Sequence, residues 1–130
     1  IERIESGLLS YGNDMNFNHN PFECGLDAFI DLDADIESMS LPALRAIRGR
    51  HVHQLVGIVF DQPVEFDDFK VEADGEAVGD VRSQVWSPRY EKFLTMVMMK
   101  REFLRENTSV AIGDNIGKIV DLPFDFDAIA

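Results

Sequence analysis

Glu2–Asp27, ERIESGLLSYGNDMNFNHNPFECGLD, is the stretch on which the reading of this chain turns. Ile1, Ile4, Leu8 and Leu9 fall on one face at helical spacing, with Glu2, Arg3 and Glu5 elsewhere, which predicts a helix over residues 1–10. Tyr11-Gly12-Asn13-Asp14 is expected to end it, because Gly and Asn tolerate the left-handed backbone that closes a helix. Asn16, Asn18, Asn20 and Pro21 are loop chemistry. Leu26, Ala28, Ile30 and Leu32 then recur at every second position, which predicts a half-buried strand over Leu26–Leu32.

Working outward, Ser38 or Ser40 caps a short helix over Leu41–Arg48, with Pro42 in its first turn and Gly49 as its stop. From Val52 the period changes to two. Gln54–Phe60, Phe69–Ala73, Ala77–Trp86, Phe93–Met99, Thr108–Ile112 and Ile116–Leu122 read as six strands, separated by Asp74-Gly75, Ser87-Pro88 and Gly113-Asp114-Asn115. Lys100–Arg105 reads as a short helix between two of them. The expected fold is α+β: a helix-and-loop segment over residues 1–51, then a small antiparallel β-barrel over residues 52–130.

Composition sets the outer limits. With 130 residues, 45% hydrophobic and ten Phe, the chain has apolar surface for one core. Its formal charge of −12, from 24 acidic and 12 basic residues, repels phosphate backbones and anionic lipid and argues against nucleic-acid and membrane partners. No apolar run approaches the roughly 18 residues of a membrane span, and no basic-then-apolar signal opens the chain. A lone Cys24 excludes an internal disulfide and fits a reducing compartment, so a cytoplasmic location is expected. The chain opens on Ile1, inside a helical pattern with no Met and no cap, which marks it as an expected fragment of a longer polypeptide.

Three groups of residues together resemble one family. Arg3-Ile4-Glu5, Gly7, Tyr11-Gly12 and Asp14 lead into Asn20-Pro21, Glu23 and Gly25-Leu26. Leu55, Gly57, Ile58 and Phe60 open the second half, and Gly75, Val78-Gly79, Val81-Arg82-Ser83 and Trp86-Ser87-Pro88 follow. Leu122-Pro123-Phe124 closes it. This set resembles the tetrahydrofolate-dependent aminomethyltransferases of the glycine cleavage T-protein family, and the wording of residues 2–15 is closest to its demethylase branch. Two departures stand out: Ser40 and Pro42 where the family's middle helix carries Gly and an acid, and Tyr90-Glu91-Lys92, which keeps a Lys and loses a Gly.

The resemblance implies that residues 1–51 end a folate-binding domain and that residues 52–130 form its C-terminal barrel. It implies an enzyme moving a one-carbon unit from a small amine, sulfonium or ether donor to N5 of tetrahydrofolate. The family's principal catalytic carboxylate belongs to the N-terminal part of the polypeptide, so no catalytic residue is assigned here and that part is an expected partner. Arg3 offers a planar five-donor fork suited to a carboxylate or ring carbonyl, and the resemblance places it at the folate pocket. The alternative is a helix-surface pair with Glu2 or Glu5. Tyr11 is either a stacking partner for an aromatic ring of the cofactor or a packing residue at the helix end.

The remaining candidates have structural readings. Asn13, Asp14 and the run to Asn20 are expected to hold the loop through side-chain to backbone bonds, Glu23 to be a hydrogen-bond acceptor, and Ser87-Pro88 to make a turn. Arg82 and Arg89 face either the interdomain cleft or, by default, the surface. His51 and His53 share a strand face but lack a third ligand, so no metal is expected. Cys24 has an acidic neighbour and no basic one, which disfavours a nucleophile. Two other classes stay open: a family member that binds folate without transferring carbon, and a free-standing acidic β-barrel that mediates protein contacts.

Overall fold

The computed structural model of the protein describes residues 2–15, 18–26, 29–73 and 75–125. Ile1, Asn16, Ala28 and Asp74, which enter the readings above, lie outside the described residues. Three short helices occur among them: α1 (Glu2–Glu5), α2 (Leu41–Ile47) and α3 (Arg101–Glu106). Six strands form one antiparallel sheet: β1 (His53–Phe60), β2 (Lys70–Ala73), β3 (Glu76–Ser87), β4 (Lys92–Lys100), β5 (Ser109–Ile112) and β6 (Asn115–Val120). Their order is β2-β3-β4-β1-β6-β5, and the outermost strands β2 and β5 come into contact, so the sheet curls into a nearly closed barrel. All six expected strands are present, with ends shifted by a residue or two.

β4 lies at the centre of this arrangement. Phe93–Met99 is buried throughout, so both faces of the strand are covered. Phe93, Val97 and Met99 point into the barrel with Val56, Ile58, Phe60 and Val71. Leu94, Met96 and Met98 point outward, where Ile4, Leu55 and Phe124 cover them. Apart from the buried Thr95, this is the apolar run that a strand buried on two faces requires.

The helix expected over residues 1–10 stops at Glu5. Gly7 adopts φ 72°, its N–H donates to the Ile4 carbonyl and the Leu8 N–H to the Arg3 carbonyl, both at 3.0 Å. That bonding pattern is the Schellman closure, and it comes at Gly7 rather than at Gly12. Ile4 is buried as its spacing implies, whereas Leu8 is exposed. The same closure recurs at Gly25, φ 72°, where Leu26 N–H bonds the Pro21 carbonyl. Leu26–Leu32 forms no strand among its described residues, because the Leu26 and Phe29 N–H groups are taken up by local turns. Leu32 instead packs with Phe22 and Leu41 in a small cluster beside the barrel. Arg101 ties this part to the sheet through bonds to the Gly49 and His51 carbonyls, 3.0 Å each.

Gly57 and Gly7 make the outer cover possible. A methyl group on Gly57 would lie 2.5 Å from the Phe124 ring, and one on Gly7 would lie 2.6 Å from Pro123 Cβ. Gly7→Ala combines a left-handed backbone with this clash and is expected to cost about 2–4 kcal/mol. Gly113→Ala, at φ 60° with no neighbour within 4 Å of the added carbon, is expected to cost about 1 kcal/mol. Equilibrium urea unfolding of the two variants measures the difference.

Candidate functional site

The site is assembled where the turn after α1 meets β3. Asp14 is fully buried, and burying a carboxylate is tolerable only when charge and hydrogen bonds compensate it. Its Oδ2 accepts from Arg3 Nη1 at 2.6 Å and from the Ser10 N–H at 2.7 Å. Its Oδ1 accepts from the Ser83 hydroxyl. Ser83 Oγ in turn accepts from Arg3 Nη2 at 3.2 Å and Asn13 Nδ2 at 3.1 Å. Arg82 Nε holds the Asn13 carbonyl at 2.8 Å. Adjacent strand residues ordinarily face opposite ways. Here the β3–β4 register shifts between Val81 and Ser83, and a bulge of this kind re-aims side chains, so both Arg82 and Ser83 reach the turn.

Arg3 is therefore not a surface residue paired with Glu5. Its third bond, from Nη1 to the Leu8 carbonyl at 2.9 Å, leaves Nε–H and one Nη2–H as its remaining donors. The side chain is 36% exposed. Glu5 turns instead to the Ser87 hydroxyl, whose oxygen also accepts the Tyr90 N–H at 3.2 Å. Ser87 thus makes its expected turn and also fastens α1 to β3. Removing Arg3 would leave Asp14 as an uncompensated buried charge, a change that costs roughly 3–5 kcal/mol.

Tyr11 stands on the same turn as Asp14 and is 60% exposed. Glu23 forms a reciprocal pair with Asn20, accepting from its N–H at 3.1 Å and donating its own N–H to Asn20 Oδ1 at 2.9 Å. Its other oxygen lies 3.4 Å from His53 Nδ1. His51 stacks on Phe22 and meets Gln54 at 3.0 Å. Among the described residues, no three His, Cys, Asp or Glu side chains converge as a metal site would need. A cleft of about 430 Å³ opens beside Gly7, Cys24, Leu26, Gln54 and Pro123, but neither Arg3 nor Tyr11 lines it.

The sequence pointed to Arg3 and missed its partners. Asp14 reads as a loop residue, which its bond to Ser10 supports, and Ser83 as a motif position on a strand with no role of its own. Their contacts with Arg3 span 11 and 80 residues, beyond any local pattern. The signal that could have found them is that the segments carrying the resemblance meet in space: Arg3 and Glu5 from one, Ser83 and Ser87 from another.

The curled six-stranded sheet defines a small antiparallel barrel domain. Residues 53–124 match the model of the glycine cleavage T-protein C-terminal barrel domain. The chain belongs to the glycine cleavage T-protein family. It is 37% identical over 114 residues to dimethylsulfoniopropionate demethylase of Ruegeria pomeroyi, covering 86% of this chain and 31% of that protein. It is 30% identical over 118 residues to an aminomethyltransferase of a Thermotoga species, covering 90% and 30%. The crystal structure of the glycine cleavage system aminomethyltransferase T from Bartonella henselae shares the fold with TM-score 0.75 and 22% identity, over 95% of this chain and 37% of that one. The chain thus spans less than a third of the length of these curated relatives.

Burial, and then the Glu23 carboxylate, push the Cys24 thiol above its ordinary value. Thiolate, the reactive form, therefore appears only at higher pH. Alkylation by iodoacetamide at pH 8 is expected to be about tenfold slower in the folded chain than in the chain unfolded in urea. The folded rate should keep rising with pH after the unfolded rate has levelled.

Proposed function

We propose that this chain is the C-terminal part of a tetrahydrofolate-dependent one-carbon transferase, with residues 1–51 ending the folate-binding domain and residues 52–130 forming the barrel that closes the cofactor channel. The family match over residues 53–124 and the resemblance to both a demethylase and aminomethyltransferases support this reading. The observation that carries it is the state of Arg3. Its guanidinium is held by Asp14 and Ser83, its side chain is about a third exposed, and donors on two adjacent nitrogens remain. Two donors side by side on a planar group fit a carboxylate or a ring carbonyl, both of which folate carries. Tyr11, exposed on the same turn, offers a ring face for an aromatic part of the cofactor.

Tetrahydrofolate, when bound, supplies N5 as acceptor of the one-carbon unit. The contribution of this chain is to bind and orient. Arg3 fixes one end of the cofactor, Tyr11 supports a ring, and the barrel wall excludes water from the channel. The donor is a small amine, sulfonium or ether met by the N-terminal part of the polypeptide, which also brings the catalytic carboxylate. No helix among the described residues is long and apolar enough to cross a membrane, and the single cysteine supports a reducing, cytoplasmic setting. The barrel's seat under the 1–14 segment favours this reading over a free-standing interaction module, because Arg3 and Asp14 sit where the chain's two parts meet.

Two outcomes are expected. The 130-residue chain alone should bind tetrahydrofolate weakly or not at all and transfer no methyl group, since the pocket needs walls from upstream domains. Turnover by the purified chain, followed by formation of methyltetrahydrofolate, would show that the chemistry is wrongly placed. In the polypeptide that includes the upstream region, Arg3→Lys keeps the charge facing Asp14 and removes the planar fork. Affinity for tetrahydrofolate should fall about tenfold, with the melting temperature little changed. An unchanged dissociation constant would remove Arg3 from the cofactor site.

A further inference from the structure

We infer that Asp14 is a positioning residue: it acts on folate through Arg3, with Ser83 as the clamp that fixes both. This rests on the assignment of Arg3 to the cofactor pocket. Asp14 is fully buried and both of its oxygens are used, one by Arg3 and Ser10 and the other by the Ser83 hydroxyl. Ser83 closes the ring by accepting from Arg3 Nη2. A guanidinium normally turns about several side-chain bonds. Bonded at Nη1 to Asp14 and Leu8 and at Nη2 to Ser83, this one is held in one orientation, with Nε–H and one Nη2–H remaining. Ligand affinity gains when such a group is ordered before binding, because less freedom is lost on association.

The other groups around the pair serve the same end. Asn13 donates to Ser83, and Arg82 holds the Asn13 carbonyl, so the turn carrying Asp14 is fixed to β3 at two adjacent residues. Ser10 N–H keeps Asp14 Oδ2 in the plane that Arg3 needs. No atom of Asp14 is exposed, so it cannot touch the ligand. Any effect of Asp14 on affinity must therefore be relayed by a residue it holds, and Arg3 is the one bonded to it that the cofactor reading uses. A merely structural carboxylate would instead act on fold stability and leave affinity per folded molecule unchanged.

The two cases separate in a double-mutant cycle on the polypeptide that includes the upstream region, titrated with tetrahydrofolate and corrected for the folded fraction by thermal melting. Asp14→Asn places a donor where an acceptor is needed, whichever way the amide turns, and should weaken binding about tenfold. In the Arg3→Lys background the same substitution should cause no further loss. Ser83→Ala, which removes the clamp without burying a new charge, should weaken binding about threefold, and this loss should also vanish with Arg3→Lys. Equal losses in both backgrounds would overturn the inference, as would full affinity in folded Asp14→Asn. If Asp14→Asn does not fold, Ser83→Ala decides, and unchanged affinity there overturns it. Failure of the underlying assignment reads differently: Arg3→Lys by itself would then bind as wild type does.

Discussion

β4 is apolar on both faces, and that constraint organises the rest of the chain. Seven consecutive residues, Phe93–Met99, are buried, and a barrel can cover only one side of them. The other side needs a lid, supplied by Ile4 from the first motif, Leu55 from the neighbouring strand and Phe124 from the last. Left open, Leu94, Met96 and Met98 would form a contiguous apolar patch of the kind that soluble surfaces avoid. The 1–14 segment is thus part of the barrel's packing.

Apolar contact is non-directional, and α1, at four residues, is far too short to hold its own shape. Its orientation comes from polar ties. Arg3 and Glu5 engage Ser83 and Ser87, four residues apart on β3, and the buried Asp14 carboxylate completes the set. A buried polar network is stabilising only when each member is satisfied, and here both Asp14 oxygens are. The same ties that fasten a cover to a strand also hold Arg3 while leaving it partly exposed, so packing and the proposed cofactor contact share their parts.

The six strands were legible because alternation and turn residues are local signals. The long strand β4 was read within one residue at each end, since Phe93–Met99 is bounded by Lys at both sides. The first helix was overextended because Leu8 and Leu9 sit at helical spacing, whereas Gly7, which stops the helix, was read only as part of a motif. The strand at Leu26–Leu32 failed because spacing at every second residue can also serve a local cluster, as Leu32 with Phe22 and Leu41 shows. The site was legible as a set of motif positions. Its contacts were not, because Arg3, Glu5 and Asn13 find Ser83 and Ser87 from 70 to 82 residues away, and only the folded sheet brings them together.

Phe124 seated over Gly57 and Pro123 against Gly7 set the order of events on the ribosome. The turn that carries Arg3 and Asp14 emerges first, yet the residues that cover and fix it come from β3 and from the end of the barrel. At about 5–20 residues per second, the interval before Phe124 appears is on the order of ten seconds. Throughout that time Ile4 is without its last neighbour, joined late in the interval by the outer face of β4, and Asp14 is free to remain in water. The nascent chain therefore depends on whatever shields that face in the meantime.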